Sequence, residues 1–195
     1  DAWRDAAEQS GIPKIEEFNR GDNFGNAYFQ MNQRSGKRWS GARAFLDPIK
    51  NRPNLTIMTE AMVEQLTLEQ DANGSQRATG VDIVYRRQQQ HLKANSEVIL
   101  AAGAIGSPQL LQLSGIGNGN ALAQLNIPCK MDLPGVGENL QDHLQIRTIY
   151  KVDNTVTLNQ KARTPWGMAM MGLEYFTKKT GPLTMPPSQL GAFAK

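Results

Sequence analysis

The sequence predicts a mixed α/β fold in which an antiparallel meander feeds a buried, parallel strand, and three observations predict it. Leu66 and Leu68 alternate with Gln65, Thr67 and Glu69, and Val81, Ile83 and Tyr85 straddle Asp82, the period of half-buried strands. Val98-Ile99-Leu100-Ala101-Ala102 then stops alternating and becomes wholly apolar, as expected where a strand enters a sheet covered on both faces. The residues after Gly103 carry helix signals at both ends.

In chain order, Trp3 to Glu8 have helical character, and Gly11 to Pro13 end it. Gly21 to Asn26 form a Gly- and Asn-rich approach to Ala27-Tyr28-Phe29-Gln30-Met31, whose aromatic content suits a short strand. The two alternating strands flank Asp71-Ala72-Asn73-Gly74-Ser75, where Asn and Gly tolerate the positive φ of a hairpin connection. Arg86-Arg87-Gln88-Gln89-Gln90 reads as a solvated turn, and a third strand follows through His91, Leu92 and Ala94. Ser107 is placed as an N-cap, Pro108 suits the first helical position, and Ser114-Gly115 suits the exit. Near the carboxyl end, Trp166, Met168, Met170, Met171, Leu173, Tyr175 and Phe176 lie in a segment, 164–179, that reads as an amphipathic or largely buried helix. Gly181-Pro182 and Pro186-Pro187 break regular structure after it.

Composition narrows the functional classes. A net charge of +3, from 21 basic and 18 acidic residues spread along the chain, is too weak and diffuse to argue for nucleic acid or an anionic membrane. The single cysteine, Cys129, forms no internal disulfide and no metal-ligand cluster, so cytoplasmic residence is the default, free or peripheral to the inner membrane. Cys129 itself reads as a small core residue, and Trp3, Trp39 and Trp166 read as packing. No run reaches the about 18 apolar residues of a membrane helix. The chain opens on Asp1 without a methionine and reads as starting in mid-domain, which suggests an excised piece of a longer protein.

The most informative stretch is Gly103-Ala104-Ile105-Gly106-Ser107-Pro108-Gln109-Leu110-Leu111-Gln112-Leu113-Ser114-Gly115-Ile116-Gly117. Ala101, Ala102, Gly103 and Ala104 remove side-chain bulk at the carboxyl end of a strand, where open α/β sheets bind ligands and backbone can approach a flat group. Taken alone, the pattern could equally be close packing of helix on strand. It resembles, at every constrained position, the second sequence signature of the glucose–methanol–choline (GMC) oxidoreductases. Gln33 to Ser40, Ala44 to Pro48, Arg52 to Ile57 and Leu133 to His143 also resemble segments of that family, and recognisable likeness covers roughly residues 1–160.

The resemblance implies an FAD-dependent enzyme that passes hydride from an alcohol to flavin, with Val63, Ala101, Ala102, Gly103 and Ala104 against the cofactor. It implies a partial FAD-binding domain, with the meander and a parallel strand, joined to part of an antiparallel substrate domain. The corresponding boundaries are 1–52 for mixed elements before the meander, 53–140 for the FAD part and 141–195 for the substrate part. The family's phosphate-binding G-x-G-x-x-G turn does not occur in this sequence, and its proton-accepting histidine belongs to a segment that would follow Lys195. Of the two histidines, His91 reads as a surface residue in a polar turn, and the likeness assigns His143 to a structural loop. No catalytic residue is therefore assigned, and the chain alone is expected neither to hold FAD tightly nor to oxidise alcohol.

Choline-oxidising relatives carry a glutamate two residues after the Gln-Asp-His triplet. Here Gln145 stands there, and a neutral amide cannot pair with a quaternary ammonium ion, so a non-choline primary alcohol is expected, with choline as the alternative. The electron acceptor is not legible. A non-catalytic binding or scaffold module that kept the fold is the rival reading, and strand edges left uncovered favour self-association.

Overall fold

The structure is a computed structural model that describes residues 2–186 and 188–194. In chain order the elements are α1 (Ala2–Gln9), β1 (Gly25–Tyr28), β2 (Gln33–Arg34), β3 (Lys37–Arg38), β4 (Ala61–Gln70), β5 (Gln76–Tyr85) and β6 (Gln88–Lys93). They continue with α2 (Gly103–Leu113), β7 (Ile116–Gly117), α3 (Gly119–Gln124), β8 (Met131–Asp132), α4 (Leu158–Ala162), α5 (Pro165–Lys178) and β9 (Leu190–Phe193). A single wide turn of π-type helix, Ala42–Leu46, lies between β3 and β4. Contacts divide the chain into two compact units, residues 57–148 and residues 1–56 with 149–195.

The meander predicted from the two-residue period is present in the first of these units, in the order β4-β5-β6 with every pair antiparallel. Its first connection forms because Asp71 Oδ1 accepts from the N–H groups of Asn73 and Ser75 at 2.9 and 2.8 Å, while Gly74 takes φ +85°. The second connection is shorter than expected. Only Arg86 and Arg87 turn, both with positive φ, and Gln88 to Gln90 already pair with Tyr85, Val84 and Ile83. His91 accordingly lies in β6 opposite Asp82, not in a turn. Two positive-φ residues in succession give the chirality that matches strand twist.

The buried parallel strand expected at 98–102 requires correction. The segment is extended but joins no ladder among the described residues; Val98 and Leu100 pack on the core while Ile99 stays 78% exposed. An apolar run becomes a doubly covered strand only where neighbours occupy both faces, and here one face alone is covered. The parallel pair in this unit is instead β7 with β8, Ile116 opposite Met131 and Gly117 opposite Asp132.

Helix α2 begins earlier than its sequence signals suggest. Gly103, at φ +85°, opens it, and Ser107 Oγ accepts from the Ala102 N–H at 3.0 Å from within the first turns. Pro108 is thus inside the helix, where it has no N–H to offer the carbonyl of Ala104. The exit is as read: Ser114 is the C-cap, and Gly115 takes φ +88° where an added Cβ would lie 2.5 Å from the Pro128 carbonyl oxygen. Leu110, Leu66 and Ile116 form the core between α2, β4 and β7, with Leu68, Val81, Met131 and Val136 packed around them. Burial of such side chains contributes about 1.5–3 kcal/mol each relative to exposure.

In the other unit, β1 pairs antiparallel with β9, and β2 with β3. β1 is displaced toward the amino terminus from the predicted Ala27–Met31, because Asn26 is fully buried and holds the strand start in place. Its side chain donates to the Ile12 carbonyl at 2.7 Å and accepts from Arg4 Nε at 3.0 Å, which docks α1. Helix α5 begins at an N-cap, Thr164, whose Oγ1 accepts from the Gly167 N–H at 3.0 Å, with Pro165 at the first position. Lys179, in the left-handed region, ends it. Only Met171 is buried, and Trp166 is 74% exposed, so the expectation of a largely buried helix, with Trp166 packed, does not hold. Pro187 lies outside the described residues, so the break read there is left as a sequence reading.

Candidate functional site

The small-residue turn and the strand named with it fall in the same unit. Ala101, Ala102, Gly103 and Ala104 are all exposed and lead directly into α2, which packs along β4. Val63 sits on β4 opposite Ile83, half exposed at 38%, one residue before a bulge at Glu64. At Gly103 an added Cβ would meet nothing within 4 Å, so the backbone there faces open space. A helix start presents N–H groups that lack intrahelical partners, and the helix dipole adds a partial positive charge. The turn is therefore open, low in bulk and rich in backbone donors, which suits the flat face or anionic part of a nucleotide.

At the other end of α2, Ser114 ties helix to strand. Its hydroxyl accepts from the Leu66 N–H at 2.8 Å and donates to the Leu110 carbonyl at 2.6 Å, and the residue is 2% exposed. The helix that carries the turn is thus tied to the strand candidate by a buried hydrogen bond beside the Leu66–Leu110 core. Sequence reasoning used Ser114 only as a helix exit; its position facing a strand amide has no sequence signal.

The remaining candidates are dispersed. Gln145 is exposed in a stretch without regular secondary structure. His143 is exposed, and its backbone N–H donates to Asp142 Oδ1 at 2.8 Å. His91 Nδ1 lies 2.9 Å from Asp82 Oδ1, in a concavity of about 410 Å³ lined also by Glu64, Gln65 and Gln89 but by none of Ala101 to Ala104. Cys129 is exposed, which corrects its reading as a core residue; the chain between α3 and β8 runs over the surface there. No helix among the described residues is long and apolar enough to cross a membrane.

The GMC oxidoreductase family model matches residues 1–145. The chain belongs to the GMC oxidoreductase family. The whole of this GMC chain is 40% identical to mitochondrial choline dehydrogenase of Homo sapiens, covering 32% of that protein. Over 93% of its length it is 38% identical to the oxygen-dependent choline dehydrogenase of Burkholderia ambifaria, covering 31% of that protein. Among solved structures, an FAD-dependent oxidoreductase of Chaetomium thermophilum matches with a TM-score of 0.81 and 28% identity, over 96% of this GMC chain and 33% of its own. The chain thus spans about a third of the length of these relatives. The mixed α/β architecture, with antiparallel sheets and one parallel pair, is that of a GMC oxidoreductase.

Proposed function

We propose that this chain is the cofactor-side portion of an FAD-dependent oxidoreductase acting on the CH–OH group of a small alcohol. The observation that carries the reading is the open turn at Gly103, with small exposed neighbours on both sides at the start of an 11-residue helix. In this reading Ala101 to Ala104 let main chain lie against the cofactor, and Val63 flanks its adenosine end. FAD, when bound, supplies the hydride acceptor through which an alcohol becomes an aldehyde or ketone. The chain's own residues bind and orient; none is assigned a proton-transfer role. The boundaries 53–140 for the FAD portion and 141–195 for the substrate portion are part of the same proposal.

Titration with FAD, followed by amide exchange, tests it. The longer protein is expected to bind FAD stoichiometrically and to gain protection at residues 101–106, whereas residues 1–195 alone hold FAD weakly and turn over no alcohol. FAD uptake without any protection at 101–106 would overturn the site. A yellow, active complex of residues 1–195 would overturn the weak-binding part of the proposal.

Two substrate readings have support. Gln145 offers no negative charge, which favours a neutral primary alcohol over a trimethylammonium alcohol. The 40% identity to a choline dehydrogenase favours choline. Turnover of choline against neutral alcohols by the longer protein decides between them, and a higher kcat/KM for choline sinks the first. The lone, exposed Cys129 is compatible with a reducing, cytoplasmic setting, which cell fractionation tests. For residues 1–195 alone, the exposed apolar face of α5 and the open edges of the meander favour self-association, and a monomeric mass by light scattering rejects it.

A further inference from the structure

The side chain of Gln112, near the carboxyl end of α2, reaches the loop that leads from β8 to Gln141-Asp142-His143. Its Nε2 donates to the Val136 carbonyl at 3.2 Å. Two glycines make room for it: a Cβ added at Gly137 would lie 2.8 Å from Gln112 Nε2, and one added at Gly117 would lie 3.2 Å from Gln112 Cγ. Gly137 also takes φ +86°, so its lack of a side chain serves backbone and clamp together. The base of the same loop is fixed by backbone alone, since the Leu133 N–H donates to the Gly117 carbonyl at 2.9 Å. Beyond Val136 the chain runs exposed to Gln141-Asp142-His143.

We propose that Gln112 is a positioning residue that locks the 133–138 loop onto α2, so that the flavin-facing turn and the approach to the Gln-Asp-His segment are held by one continuous helix. This rests on the flavoprotein reading above. The lock and the turn at Gly103 are separated by nine residues of α2, roughly 13 Å along its axis. Helix α2 is continuous between the two points, Pro108 included, so the loop is positioned relative to the turn at Gly103. Gln112 touches no reacting atom in this account. Its effect is on how often the loop is in place when substrate arrives.

The test compares wild type with Gln112→Met and Gln112→Glu in the full-length protein, reading amide exchange at Val136 and Glu138, whose N–H groups bond to Leu133 and Gly135 within the loop. Met keeps the length but has no donor. Glu keeps the shape, and at neutral pH turns an acceptor toward an acceptor. Exchange should accelerate about fivefold in the Met variant, the size expected of one hydrogen bond, and further in the Glu variant. If the side chain only fills space, Glu stays closest to wild type, and that order overturns the proposal. In steady state, Gln112→Met should raise KM for the alcohol about fivefold with kcat within about twofold, because positioning rather than chemistry is impaired. A fall in kcat at constant KM also overturns it. If the wild-type protein binds no FAD and oxidises no alcohol, the flavoprotein reading fails, while the exchange order still decides whether Gln112 holds the loop.

Discussion

Ser114→Ala removes the hydroxyl that bridges α2 and β4, and its effect can be worked from the contacts. The Leu66 N–H, 2.8 Å from Ser114 Oγ, is left buried without that partner, and an unsatisfied buried donor costs about 1–3 kcal/mol. The lost O–H bond to Leu110 costs little more, because the Leu110 carbonyl still accepts from the Ser114 N–H at 3.1 Å. A loss of about 2 kcal/mol is expected, which lowers Tm by roughly 4–8 °C for a chain of this size. Urea and thermal unfolding followed by circular dichroism measure it, with Ser96→Ala, at an exposed position, as a control expected within about 0.5 kcal/mol of wild type. A Ser114→Ala variant as stable as the control would refute the claim that this hydroxyl joins helix to strand.

Two further outcomes follow from other parts of the molecule. Ala104→Leu puts bulk on an exposed position of the turn, so stability should stay within about 0.5 kcal/mol while FAD affinity falls at least about tenfold; FAD titration with a parallel melt separates the two, and unchanged affinity removes Ala104 from the site. In α1, the hydrogen bond and charge of Lys14 hold the Asp5 carboxyl below its ordinary range, so its contribution is complete above the unfolded value near about 4 and is lost as pH falls through the lower, folded value. The protection factors of α1 amides, taken relative to intrinsic exchange at each pH, should therefore fall in acid for wild type, with a step absent in Asp5→Asn and weakened by salt because both groups are exposed; identical acid profiles would refute the linkage.

The meander is legible because what builds its first hairpin is local: two alternating runs and an Asp-Ala-Asn-Gly connection whose hydrogen bonds span four residues. The start of α2 was misread for the opposite reason. Ser-Pro is a strong local signal for a helix beginning at Pro108, but a left-handed Gly103 and a backward bond from Ala102 to Ser107 extend the helix to include it. Segment 98–102 was apolar enough to be a strand, yet ladder formation needs a neighbouring backbone that local sequence does not report. Helix α3 carries a local signal in Asn118, whose Oδ1 accepts from the N–H groups of Asn120 and Ala121 at 3.0 and 3.1 Å. So does α4, where Thr157 and Gln160 form a reciprocal capping box. Of the candidate site, residues 101–104 were found as a cluster because small side chains in succession are visible in sequence. Gln112 was not, because its role depends on where Gly117 and Gly137 leave room for it.

The capping of α5 bears on the order of folding events. Thr164, Pro165 and Lys179 supply both ends of that helix from within its own few turns, so its capping requires no distant partner. Closure of α2 on β4 instead joins residues 48 apart in sequence through Ser114 and Leu66, a connection made only after a long intervening loop has been ordered. During synthesis both partners of that closure leave the ribosome before α5 does, so the long-range bond can form while the later, self-capped helix is still being made.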